Sequence, residues 1–68
     1  MEKLEKVRKK IRFARLEKDY TQDYVSDRLF ITQKSYHRLE TGKSHLKVET
    51  LLKLATIFEV KPSYFLED

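Results

Sequence analysis

The chain has 68 residues, with fifteen Lys or Arg against eleven Asp or Glu, two His and no Cys. That leaves room for one small domain whose core contributes about 3 to 5 kcal/mol net, and it excludes a multidomain architecture, a disulfide framework and a thiolate metal site. The charged fraction is 38%, yet Leu, Ile, Val, Phe and Tyr recur at regular spacing, so the composition is that of a folding chain. No stretch approaches the run of about 18 apolar residues that spans a bilayer, and Met1 is followed by Glu and Lys instead of an apolar signal segment, so a cytoplasmic protein without a membrane partner is expected. A net charge of +4 is only a weak pointer to an anionic partner.

The charge is uneven along the chain. Residues 1–18 carry eight Lys or Arg and three Glu, a surplus of five, which leaves the other fifty residues at minus one. Within this basic segment Leu4, Val7, Ile11 and Ala14 fall three and four apart, the stripe of an amphipathic helix over about 2–18. Asp19 and Tyr20 interrupt the pattern. Thr21 is suited to cap a second helix over about 22–28, with Asp23 in its first turn and Val25 and Leu29 facing inward. After Phe30 and Ile31, Thr32 is a second N-cap, opening a helix over about 33–41 with Tyr36 and Leu39 as its inward pair.

Gly42, the only glycine in the sequence, ends that helix, because it adopts the left-handed C-cap conformation without steric cost. A loop over 43–47 follows. From 48 to 58 the apolar residues Val48, Leu51, Leu52, Leu54, Ala55, Ile57 and Phe58 are too many for one narrow stripe, so this fourth helix is expected to be the most buried. Pro62 then opens a short fifth helix over about 62–67 containing Tyr64, Phe65 and Leu66. The expected fold class is therefore all-α, a single domain over 1–68 built of five helices. The pair of helices between Thr21 and Leu39, joined by about three residues, has the outline of a helix-turn-helix.

At these residues the sequence resembles the phage repressor and Cro family of helix-turn-helix DNA-binding domains. The resemblance rests on Thr21-Gln22, Val25, Leu29, Ile31-Thr32-Gln33, Tyr36, Leu39-Glu40-Thr41-Gly42-Lys43 and Leu51-Leu52-Lys53-Leu54-Ala55. It covers roughly 7–66. Its most specific element is Thr-Gln at one helix start, Gln at the next after ten intervening residues, and Glu-x-Gly-Lys seven residues further on. Four positions depart from the family: Asp19 and Phe30 stand where glycine is usual, Ser26 where alanine is, and Lys47 replaces the Ser or Asp that often caps helix four. A phenylalanine with positive φ is strained, so either the turn is reshaped or Phe30 buries its ring.

The resemblance implies a five-helix repressor-like fold and a transcriptional regulator of a bacterium or phage, associated with the nucleoid and needing no cofactor. With Tyr36 and Leu39 inward, the opposite side of the third helix holds Gln33, Lys34, His37, Arg38 and Thr41, all polar. Gln pairs bidentately with adenine, and Arg or Lys with guanine, in the major groove. The resemblance assigns base reading to Gln33, Lys34 and Arg38, and His37 is adjacent. Phosphate contacts are expected at Gln22, where side chain and helix-terminal amides meet one anion, and at Thr32, Thr41, Lys43 and Ser44, with His45 and Lys47 within reach of the backbone. Arg15 and Glu40 are expected to form the family's structural ion pair. His37 and Glu40 could supply only two metal ligands, so no metal is expected, and no catalytic set is present.

Two functions compete on this fold. One is a repressor that binds a palindromic operator as a homodimer, with Val60, Tyr64, Phe65 and Leu66 as the self-association cluster or as closure of the core. The other is an antitoxin, whose main partner is a toxin protein and whose DNA binding serves autoregulation.

Overall fold

The computed structural model describes residues 2–67. Among these are four α-helices, α1 (Glu2–Glu17), α2 (Gln22–Leu29), α3 (Gln33–Thr41) and α4 (Val48–Phe58), and one 3-10 helix (Pro62–Leu66). The expected α-helices are present with ends within a residue of expectation, but the fifth element is not an α-helix. Pro62 opens it without an amide of its own, and its bonds run from Tyr64 N to Lys61 O and from Glu67 N to Tyr64 O, three residues apart. Five residues are too few to propagate an i to i−4 ladder, and the tighter turn suffices to drive Phe65 into the core.

The helix starts follow the capping chemistry. Thr21 accepts a hydrogen bond from Tyr24 N at 3.0 Å, and Thr32 accepts one from Ser35 N at 3.1 Å, each satisfying one of the orphan amides of a first turn. Lys47 at the start of α4 offers no side-chain cap. The inward residues meet in one cluster: Val7, Ile11 and Ala14 of α1, Val25 and Leu29 of α2, Tyr36 and Leu39 of α3, Leu54, Ala55 and Phe58 of α4, and Phe65. α2 packs on α3 and α4, while α1 lies across α3 and the 3-10 helix. α4 is less enclosed than its composition implies. Leu54, Ala55 and Phe58 are buried, but Val48 is 72% and Leu52 50% exposed, because α2, α1 and the 3-10 helix cover one side of α4 and leave these two on the other.

All four described α-helices end in the same way. The residue after the last turn is left-handed (Asp19, Phe30, Gly42 and Glu59, with φ of 58, 59, 90 and 58°). The next amide then reaches back five residues: Tyr20 to Arg15 O, Ile31 to Ser26 O, Lys43 to Arg38 O and Val60 to Ala55 O, at 3.0 to 3.1 Å. This is the Schellman closure, which normally recruits glycine. At the three sites without glycine, the residue that follows (Tyr20, Ile31 or Val60) packs against the core, and this apolar anchor offsets the roughly 1 to 2 kcal/mol that a left-handed L-residue costs. Phe30 therefore answers neither expectation made of it. The turn keeps its left-handed form, and the ring is 94% exposed, since Ile31 is the residue that points inward. Ser26, also at a departure from the family, is buried and satisfies its hydroxyl by donating to Asp23 O at 2.8 Å.

The expected ion pair is present and larger than a pair. Arg15 Nε donates to Glu40 Oε2 at 2.7 Å and Arg15 Nη2 to Oε1 at 3.3 Å, while Nη1 donates to Tyr20 O at 3.0 Å. Gln22 Nε2 donates to Oε1 at 3.2 Å, and the Tyr36 hydroxyl donates to Oε2. The Glu40 side chain is almost wholly buried, so each of these donors replaces water that the carboxylate has lost. Its hydrogen bond to Glu40 raises the affinity of the Arg15 guanidinium for its proton, and burial, with the bond to Glu40, pushes the Tyr36 phenol upward.

Two outcomes follow from this network. Glu40→Ala leaves Arg15 and the Tyr36 hydroxyl without their acceptor in a half-dry site, and is expected to cost about 3 to 5 kcal/mol in urea unfolding. For Tyr36, the folded phenol holds its proton to higher pH than the unfolded one, which ionises near pH 10. Its contribution is thus intact below about pH 10 and declines above it. Stability measured from pH 8 to 11 should fall at the alkaline end, and Tyr36→Phe should flatten that fall.

Candidate nucleic-acid interface

α3 has two unlike sides. Tyr36, Leu39 and Glu40 are buried, and Gln33, Lys34, Ser35, His37, Arg38 and Thr41 are exposed. The four residues expected to read bases therefore lie on one solvent-facing surface of one short helix, and Lys34 and Arg38 project one turn apart from it. The buried side is what makes this surface a fixed platform. Tyr36 is clamped to Glu40, and Glu40 is held by Arg15 from α1 and Gln22 from α2, so α3 cannot roll about its axis without breaking a buried charged network.

The residues expected at phosphates divide into three groups. Thr32 and Thr41 are exposed at opposite ends of α3, but their hydroxyls are engaged: Thr32 caps Ser35 N and donates to Ser35 Oγ at 3.0 Å, and Thr41 Oγ1 donates to His37 O at 3.0 Å. Gln22 is half-buried at the start of α2, its amide nitrogen held by Glu40. Lys43 is exposed directly after the Gly42 turn. Ser44 is set back from the surface. Its carbonyl accepts from Arg8 Nη2 at 2.8 Å, and its hydroxyl is buried without a hydrogen-bond partner, lining a pocket of about 250 Å³ with Ser35, His45, Lys47, Thr50 and Lys53.

Arg8 is the residue that sequence reasoning missed. Its guanidinium donates to Leu39 O in the last turn of α3 and to Ser44 O in the following loop. It thus satisfies an orphan carbonyl, complements the negative end of the α3 dipole and ties down the loop that carries Lys43 and His45. The signal was its register: Arg8 precedes Arg15 by two helical turns on the same flank of α1, so a partner on α3 for one implies a partner near α3 for the other. Lys10 braces the 3-10 helix similarly: its Nζ donates to Tyr64 O at 3.0 Å and lies 5.1 Å from the centre of the Tyr64 ring. Lys18 reaches Glu59 at 2.7 Å in an exposed pair that raises the proton affinity of the lysine and lowers that of the carboxylate. Much of the basic surplus of α1 is therefore internal bracing.

The C-terminal cluster does not form an apolar surface as a whole. Phe65 is 1% exposed, with Val60 and Tyr64 half-buried beside it, and only Leu66 is open to solvent. The expectation that Phe65 takes part in self-association is corrected accordingly: it closes the core between α1 and α4. Among the described residues no three of His, Cys, Asp and Glu gather as metal ligands would, and no helix is long and apolar enough to cross a membrane.

An exposed polar helix, braced by a second helix that meets it across a left-handed turn, is the arrangement by which helix-turn-helix domains present side chains to a major groove. No curated protein and no solved structure matches the chain. The helix-turn-helix family model of Cro/C1 type matches residues 11–65, which spans all of α2, α3 and α4 together with the residues of the Glu40 network. The chain belongs to the Cro/C1-type helix-turn-helix family of DNA-binding transcription regulators.

Proposed function

We propose that the protein is a sequence-specific repressor that occupies a palindromic operator as a homodimer, with α3 in the major groove. The observation that carries this reading is the wholly polar outer face of α3, fixed in orientation by the buried Glu40 network. Gln33, Lys34, His37 and Arg38 are the base readers in this reading. Gln matches the N6 and N7 edge of adenine, and Lys and Arg match O6 and N7 of guanine. Gln22, Thr32, Thr41 and Lys43 meet phosphates on either side. Beside α3 the exposed His45, Lys47 and Lys53 offer donors to a further phosphate, while the Ser44 hydroxyl stays buried behind them. One α3 covers only a few base pairs, so two copies on half-sites about 34 to 36 Å apart supply the specificity that one lacks.

Selection from random duplex DNA is expected to enrich a two-fold symmetric site. On that site Gln33→Ala and Arg38→Ala should each relax the preference at one position of the half-site and cost about 1 to 3 kcal/mol. Lys43→Ala should weaken all sequences alike and lower the slope of log affinity against log salt by about one. Failure to enrich any duplex would overturn the reading.

A further inference from the structure

Lys9 and Arg12 of α1 take no part in the bracing that occupies their neighbours. Arg8, Lys10 and Arg15 each hold a carbonyl or a carboxylate of another segment. Lys9 and Arg12 are exposed, and neither makes a hydrogen bond or an ion pair among the described residues. Three residues apart on one helix, they are neighbours on its surface. Together with Glu5, Arg8, Glu40 and Thr41 they line an open notch of about 420 Å³ between α1 and the last turn of α3.

The notch is positive in spite of its two carboxylates. Glu40 is already met by Arg15, Gln22 and the Tyr36 hydroxyl. Arg8 donates to carbonyls, which carry no net charge, so its own charge persists. Three cations therefore stand against one exposed carboxylate, Glu5. The notch also abuts the face of α3 assigned to the groove, because Thr41 belongs to both. A helix in the major groove has a phosphate backbone along each of its sides. Thr41 by itself is badly placed to hold one, since its hydroxyl proton goes to His37 O at 3.0 Å and only lone pairs are left to face outward. A phosphate at this end of α3 must find its N–H donors elsewhere. Lys9 and Arg12 are the cations at that edge without an intramolecular acceptor, one a point charge and the other a planar fork that takes two phosphate oxygens.

We propose that Lys9 and Arg12 form a clamp for a DNA backbone phosphate beside the C-terminal end of α3, so that α1 belongs to the nucleic-acid interface as well as to the scaffold. The inference rests on α3 lying in the major groove and adds to that reading the strand that passes α1. Such a clamp touches no base edge. It strengthens binding to every sequence alike and fixes the orientation in which α3 is held.

Fluorescence anisotropy of the whole chain tests it, with the duplex obtained by selection and a mixed-sequence duplex of the same length, over a range of salt concentrations. Lys9→Ala combined with Arg12→Ala should weaken both duplexes to a similar extent, about tenfold at about 0.1 M salt, and lower the slope of log affinity against log salt by nearly two, or about 0.9 per lost contact. Arg12→Lys should keep the slope yet lose affinity several-fold, because the charge remains and the fork does not. Lys61→Ala, at an exposed lysine outside the notch, should leave the slope unchanged. Since neither clamp residue has an intramolecular partner, the double variant should melt within about 2 °C of the wild type, which separates a lost contact from a lost fold. Replacing single phosphates by neutral methylphosphonates then locates the contact. At one or two adjacent positions the replacement should weaken the wild type and leave the double variant unaffected. A double variant as sensitive as the wild type at every phosphate, or a loss of slope shared by Lys61→Ala, overturns the clamp and leaves the DNA-binding reading standing. A wild type that binds neither duplex overturns both.

Discussion

A carboxylate buried at the end of α3 sets the geometry of the molecule. Once Glu40 is out of water, its charge has to be met by donors, and the three that meet it come from three places: Arg15 on α1, Gln22 at the start of α2, and Tyr36 one turn back on α3 itself. The hydrophobic core would tolerate small rotations of these helices against one another, since dispersion and burial are only weakly directional. Charged hydrogen bonds with fixed lengths and angles tolerate far less. The core thus supplies the attraction, and the Glu40 network selects the orientation in which the outer face of α3 stands clear of the rest. Gln22 serves twice in this arrangement, as a donor inside the network and as the first side chain of α2 at the candidate interface.

The distribution of basic residues follows from the same economy. α1 holds more positive charge than any other element, which taken alone points to α1 as the anion-binding surface. The structure assigns several of those charges to intramolecular partners instead: Arg8 to the carbonyls of Leu39 and Ser44, Lys10 to Tyr64 and Arg15 to Glu40, while Lys18, just beyond α1, reaches Glu59. Of these, the Arg8 contact to Leu39 fastens α1 to the end of α3, where a carbonyl is left over and the dipole is negative. With Glu40 neutralised internally, the segment from Gln33 to Lys47 presents Lys34, Arg38, Lys43 and Lys47 without an opposing exposed carboxylate. The small net charge of the chain conceals this local excess.

Helix termination shows how a chain with one glycine closes four helices. A left-handed residue needs either a missing Cβ or an anchor strong enough to hold it there, and Tyr20, Ile31 and Val60 are such anchors after Asp19, Phe30 and Glu59. Only after α3 is the anchor unavailable, because the residue that follows there is Lys43, which is exposed. That is where the glycine stands. The turn between α2 and α3 keeps its shape through Ile31, which frees the Phe30 side chain from any structural duty.

Local chemistry written into the sequence determined the helix starts at Thr21 and Thr32, the stop at Gly42, the inward pairs Val25 with Leu29 and Tyr36 with Leu39, and the polar composition of the α3 face. Each depends on residues within a turn or two of one another. The Arg15 to Glu40 pair was legible only through the family resemblance, since no local rule joins residues twenty-five positions apart. What the tertiary structure alone decided is of the same long-range kind. It placed Arg8 on the end of α3 and added Gln22 and the Tyr36 hydroxyl to the ion pair. It also put Phe65 inside the core and left Val48, Leu52 and Phe30 outside it. A periodic pattern states that a residue has an apolar side chain on a given face; which neighbour covers that face, and whether any does, depends on how the helices pack.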